Sequence, residues 1–170
     1  MNFKMTKVGL SLTPERVTRM EKQPNVVLPE NYKAFLFQFN GGRPDPNCYP
    51  IRGLHNNPFG GIQHFLFLDH QIGSCNLDWA YRTYRGRVLP NLFPIAYEDR
   101  GNVICLSLWE RDQNTGYYWD HEAEYIPPTY DNVYLIAPSF LEFLECILYR
   151  DISAEIAELL KDTTVIKRPH

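Results

Sequence analysis

Asp120-His121-Glu122 is the run in this chain whose residue types come closest to a chemical site. On an extended strand, alternation would put Asp120 and Glu122 on one face and His121 on the other. Two carboxylates side by side can hold a cation or share a proton. No nucleophile accompanies them and no oxyanion-stabilising motif is readable, so an exposed acidic strand end is the expectation. His55, His64 and His70 are separated by loop and strand, with no HxxxH or HExxH spacing. His64 opens an apolar run, where a structural role is expected. Glycine-rich phosphate loops and nucleophile elbows are absent. Tyr81-Arg82-Thr83-Tyr84-Arg85-Gly86-Arg87 interleaves cations and rings, as nucleic-acid binders do. On a helix, however, Arg82 and Arg85 share one side while Tyr81 and Tyr84 point inward, and three arginines make only a modest patch. No catalytic constellation, metal set or cofactor-binding motif is expected.

Charge is unevenly distributed. Residues 1–96 carry eleven Lys/Arg and six Asp/Glu, whereas residues 97–131 carry two arginines and eight acids within an overall net charge of −3. Such an acidic stretch disfavours nucleic acid as its ligand and suits a basic protein partner. Trp109, Tyr117, Tyr118, Trp119 and Tyr130 are interspersed there. The expected partner-binding residues are Asp99, Trp109, Glu110, Asp112, Tyr117, Asp120, Glu122 and Glu124. Glu110 and Asp112, beside a turn, are favoured over any ring, because about half of strand side chains point inward.

These residues need a frame. A chain of 170 residues, 44% hydrophobic and 22% charged, has the composition of a globular protein and the length of one domain. Cys48, Cys75, Cys105 and Cys146 are scattered, and no leader follows Met1-Asn2-Phe3-Lys4, so reduced thiols and a cytoplasmic location are expected. No run approaches the ~18 apolar residues of a membrane span.

Leu28–Gly42, LPENYKAFLFQFNGG, reads as a helix with both ends written. Pro29 suits the first helical position, Tyr32, Phe35, Leu36 and Phe39 form one apolar stripe, and Asn40-Gly41-Gly42 supplies a left-handed stop. Thr13-Pro14-Glu15 starts an earlier short helix on the rim of the core, with Val17 and Met20 as its apolar edge. Residues 43–63 read as a punctuated loop with a short strand near Tyr49–Ile51. His64–Leu68 is a strand. Asn76 or Asp78 caps a helix through Trp79, Tyr81 and Tyr84, with Gly86 ending it. Phe93–Tyr97 and Val103–Leu108 form a hairpin around Glu98–Asn102, with Pro94 at the start or edge of its ladder. Tyr117–Asp120 and Val133–Ala137 are further strands. Ser139 opens a capped helix whose stripe is Phe140, Leu141, Phe143, Leu144, Ile147 and Leu148. A last helix spans about Ala154–Leu160. The expected architecture is α+β: a largely antiparallel sheet of about five to six strands with helices packed around it, in one domain over 1–170, with its core at about 13–148 and a helix and tail at 149–170.

The ordered motifs resemble the SUKH superfamily, of Smi/Knr type. Leu28-Pro29, Tyr32-Lys33-Ala34-Phe35-Leu36 and Asn40-Gly41-Gly42 look like its N-terminal signature. Leu92-Phe93-Pro94-Ile95-Ala96, then Gly101-Asn102, Gly116-Tyr117-Tyr118-Trp119-Asp120-His121-Glu122 and Ile136–Leu144 with Ser139, Phe140, Phe143 and Leu144 follow in family order. The loop 43–63 and the tail after Leu148 carry no such motif. The resemblance implies a non-enzymatic α+β binding domain without a cofactor, its shared motif residues being fold determinants. Bacterial members are largely immunity proteins that neutralise toxins, often nucleases, and fungal members are linked to regulation of cell-wall glucan synthesis. The expectation is therefore an immunity protein that occludes a basic toxin domain stoichiometrically. A regulatory or scaffold protein of the glucan-synthesis kind is the alternative, and a small-molecule site or enzyme using Asp99, Asp120, His121 and Glu122 is the third reading.

Overall fold

The structure, a computed structural model, describes residues 3–148; the helix expected near Ala154–Leu160 lies outside them. Among the described residues four α-helices, α1 (Pro14–Lys22), α2 (Glu30–Phe39), α3 (Leu77–Tyr84) and α4 (Phe140–Cys146), accompany eight strands. Strands β1 (Lys4–Thr6) and β2 (Arg43–Asp45) form a two-stranded ribbon. Strands β3 (Cys48–Pro50), β4 (Phe59–Phe65), β5 (Leu92–Glu98), β6 (Val103–Ser107), β7 (Gly116–Trp119) and β8 (Val133–Ala137) form one antiparallel sheet in sequence order. The sheet curls nearly into a barrel, and the Arg52 N–H, just beyond β3, reaches the Leu135 carbonyl of β8 at 2.9 Å. This is the α+β domain expected.

Helix α2 sets the core. Tyr32, Phe35 and Leu36 are fully or almost fully buried, and Phe35 meets the rings of Phe65 and Phe140 at 4.7 and 5.3 Å. Each such side chain contributes roughly 1.5–3 kcal/mol on leaving water. Pro29 is the residue before the first helical turn, extended at ψ 141°, one position earlier than its φ preference suggests. Asn40 does end the helix in the left-handed region, at φ 44°. Its amide also donates to the Leu10 and Leu68 carbonyls, both at 2.9 Å, and accepts from the Leu68 N–H at 2.8 Å. Gly41 follows at φ +79°, and a Cβ there would stand 2.6 Å from the Phe67 ring.

Helix α1 buries only its thin edge of Val17 and Met20, as expected of a rim element, and Arg16 fastens it to Asp69 at 2.9 Å and to Asp78 of α3 at 2.8 Å. Several expectations shift. The punctuated stretch 43–63 holds β2, β3 and much of β4. The strand expected at His64–Leu68 therefore starts earlier, at Phe59, and ends at Phe65. Gly60 lies opposite Tyr49, whose hydroxyl leaves no room for a Cβ there. The buried pair on α3 is Leu77 and Ala80, neither of which the sequence reading singled out. Leu141 and Leu148 are exposed, so the inner stripe of the last described helix narrows to Phe140, Phe143 and Leu144, with Ile147 just after it.

Pro94 is not at a sheet edge. Strand β5 runs between β4 and β6, and the proline is accommodated where the β5–β6 register slips between Pro94 and Ala96. A bulge tolerates the missing N–H. It also turns both Ile95 and Ala96 into the main core. The opposite face of the sheet is covered too: Val103, Cys105 and Trp119 pack with Val88 and Leu92 in a second, smaller core.

Candidate functional site

The Asp120–Glu122 run does not alternate, because β7 ends at Trp119 and Asp120 caps a short 3-10 turn over His121–Ala123. The Asp120 carboxylate accepts from the Glu122 N–H at 3.0 Å, and its backbone is clamped by Asn132 at 2.9 and 2.7 Å. Asn102 Oδ1 accepts from the His121 N–H at 3.0 Å and lies 2.6 Å from His121 Nδ1. An amide oxygen can only accept, so that ring nitrogen carries the proton. Glu98, 1% exposed, completes this corner. Its carboxylate takes Arg100 Nε and Nη2 at 3.0 and 2.9 Å, the Arg100 N–H at 2.8 Å and Asn102 Nδ2 at 3.2 Å. The run is thus a hydrogen-bonded turn that holds the sheet corner together. Among the described residues, no group of three or more His, Cys, Asp or Glu is arranged to hold a metal ion.

The acidic stretch divides between the two ends of the β6–β7 pair. Register places Val103 opposite Trp119 at one end and Leu106 opposite Gly116 at the other. Three residue steps of strand separate these ends by about 10 Å. Asp99, Asp120 and Glu122 stand at the first end. Burial raises the Asp99 carboxyl above its ordinary value, and Asn47 Nδ2 approaches it at 3.4 Å. Trp109, Glu110 and Asp112 stand at the second end, on the turn between β6 and β7. Trp109 is 52% exposed, with the Arg111 guanidinium 5.6 Å over its ring. Glu110 is exposed. Asp112 is engaged internally, accepting from the Ser107 hydroxyl at 2.7 Å and the Tyr117 hydroxyl at 2.9 Å. Burial, and then the bond to Asp112, push the Tyr117 phenol up to about 12.

The segment between β7 and β8 leaves and returns at the first end, where Asp120 and Asn132 are hydrogen-bonded, and two contacts fasten it. Glu124 forms a two-point ion pair with Arg87 at 2.9 and 2.7 Å, and that guanidinium lies over the rings of Tyr84 and Trp119 at 5.2 and 5.5 Å. The pair draws the Glu124 carboxyl below its usual range, chiefly through the hydrogen bonds from Arg87. Further along, the Tyr130 hydroxyl accepts from Asn91 Nδ2 at 2.9 Å, and Asn91 in turn reaches Ser107 at 3.3 Å. Between these two fastenings Tyr125 is exposed and Ile126 is 92% exposed.

Glu110 and Glu122 are therefore outward-facing carboxylates, whereas Asp112 and Glu124 serve the fold. Tyr118 and Trp119 are buried. Tyr125 and Ile126 escaped the sequence reading. The signal for them was Pro127-Pro128, which forbids a continuous ladder and leaves the preceding side chains without a sheet to enter. Together the surface offers acidic groups at both ends and exposed apolar side chains along it. That composition suits contact with a positively charged protein surface.

Comparison with known proteins places the chain among relatives. Residues 11–146 match the SMI1 / KNR4 family (SUKH-1). The chain is also similar to the SPbeta prophage-derived uncharacterized protein YokK of Bacillus subtilis (strain 168), with 29% identity over 160 residues, covering 84% of this chain and 78% of that protein.

Proposed function

The chain belongs to the SMI1 / KNR4 (SUKH-1) family, and from that membership we propose that it is a non-enzymatic binding protein, a bacterial immunity protein that neutralises a toxin domain by stoichiometric occlusion. The toxin is one with a basic surface, such as a nuclease cleft, where carboxylates stand in for the phosphates of the substrate. The observation that carries this reading is the surface just described. Glu110 and Glu122 face solvent, and Trp109, Tyr125 and Ile126 of the same acidic stretch are exposed. Exposed rings on a fastened scaffold make good binding centres, because little motion is lost when they are covered.

The experiment is co-purification with toxin domains encoded beside the gene, followed by a protection assay in cells expressing the toxin. Binding at one-to-one stoichiometry is expected. Trp109→Ala should weaken it by about 2 kcal/mol, and the double reversal E110K/E122K should abolish protection while the melting temperature stays put. If no neighbouring product binds, or if E110K/E122K protects as well as the original sequence, this face is not the toxin site. Capture of a host cell-wall synthesis component instead would favour the regulatory alternative.

A further inference from the structure

A cavity of about 310 Å³ opens beside β4, where the β1–β2 ribbon meets the segment leaving that strand. Lys7, Arg43, His64, Phe67 and His70 line it, and no carboxylate does. Neither Lys7 nor Arg43 forms an ion pair among the described residues, and both are exposed. Asp99 lies within electrostatic range of Arg43 but is hydrogen-bonded to Asn47. The cavity lining thus gathers cationic and imidazole groups and holds no carboxylate, the Asp99 charge acting on Arg43 from outside it.

The two imidazoles are set up as donors. His70 Nδ1 accepts from the Ile72 N–H at 3.1 Å, which places the proton of the neutral ring on Nε2. His64 Nε2 is buried without a hydrogen-bond partner among the described residues. An orphaned acceptor is better tolerated than an orphaned donor, so the neutral His64 carries its proton on Nδ1. The His70 Nε2–H and the His64 Nδ1–H therefore make no hydrogen bond to the protein among the described residues. Phe67 holds both rings in place, with centroids 5.9 Å from His64 and 4.5 Å from His70. The local potential is positive as well. Burial, and then the charges of His70 and Arg43, hold the His64 pKa below its ordinary value.

We propose that this cavity binds a phosphate-type oxyanion, free or as a phosphate ester of a small molecule, through the Arg43 guanidinium, the Lys7 ammonium and the imidazole N–H groups of His64 and His70. The guanidinium fork matches two oxygens of such a group, and the ammonium acts as a point charge. The volume exceeds what a phosphate alone fills, leaving room for an organic remainder against Phe67. The site shares no residue with the proposed toxin-binding surface, so either reading can fail without the other.

The test titrates inorganic phosphate and phenyl phosphate into the full chain at constant ionic strength, with chloride as the control, and follows the ring C–H resonances of His64 and His70 by NMR. Saturable shifts at both histidines are expected with one or both phosphates and none with chloride. Tighter binding of phenyl phosphate identifies an ester as the ligand type, and equal binding identifies the free ion. The exposed double variant R43Q/K7Q should weaken binding at least about tenfold, equivalent to ~1.4 kcal/mol. R82Q/R85Q, at the C-terminal end of α3, should leave it unchanged. Shifts that never saturate, that bypass the two histidines, that survive R43Q/K7Q or that fall equally in R82Q/R85Q would overturn the proposal.

Discussion

Asn40 shows how one side chain can carry several constraints at once. Its backbone holds the left-handed stop of α2, and its amide fastens both the N-terminal segment at Leu10 and the chain leaving β4 at Leu68. It is 2% exposed, so water does not replace these bonds. Asn40→Ala would leave the Leu68 N–H and two carbonyls without partners and force an alanine into a conformation it disfavours. A loss of about 3 kcal/mol is expected, lowering the melting temperature by roughly 10 °C for a domain of this size. Asn40→Gly relieves the backbone strain, about 1 kcal/mol, yet makes none of the amide bonds. It should therefore fall between the two in thermal or urea unfolding. If Asn40→Gly matches the original protein, the buried amide contributes nothing and the conformational stop is the whole role. The Asn-Gly-Gly triplet was legible as a helix stop because that signal is local. The bonds to Leu10 and Leu68 were not, since they join residues about thirty positions apart.

At the scale of elements, the sequence spoke most clearly where a single helix end decides the geometry. Thr13 and Ser139 cap α1 and α4 through their hydroxyls, as the Thr13-Pro14-Glu15 start and the capped start at Ser139 implied. Strands were harder to read when their residues are poor strand formers. Strands β2 and β3 contain Pro44 and Pro50, and β4 contains Gly60 and Gly61, so propensity argued for a loop. Pairing with neighbours overrides that preference, since Gly60 is the residue that admits Tyr49 across the ladder. The acidic stretch was legible as charge, but its division was not. Glu124 finds Arg87 thirty-seven residues away, and this pair fastens the segment bearing Tyr125 and Ile126 over the second core. Both side chains remain partly exposed, so the pair is worth about 1 kcal/mol to global stability. Its larger expected effect is local. Arg87→Ala should speed amide hydrogen exchange and proteolysis within residues 124–131 while moving the global unfolding midpoint only slightly. Unchanged exchange there would mean that Tyr130 and Asn91 alone hold the segment.

Across the whole molecule, charge is partitioned in a way that net charge conceals. The first 96 residues are net basic and the following 35 strongly acidic, and the fold keeps Glu110 and Glu122 outward at opposite ends of the β6–β7 pair. Exposed Trp109, Tyr125 and Ile126 lie on the same acidic stretch of chain, so the two classes of contact should act on different stages of binding. Long-range attraction between acidic ends and a basic toxin hastens encounter and is screened beyond about 8–10 Å at ordinary salt. Apolar contact forms only after docking and governs how long the complex lasts. Raising salt from low to physiological ionic strength should therefore slow association with little change in dissociation. E110K/E122K should reduce the association rate and flatten its salt dependence. Trp109→Ala should leave association nearly intact and speed dissociation by about thirtyfold, the kinetic equivalent of ~2 kcal/mol. Stopped-flow or surface-based kinetics across a salt series separates the two. If E110K/E122K changes only dissociation, those carboxylates make contacts in the bound complex and do not steer the partner toward it.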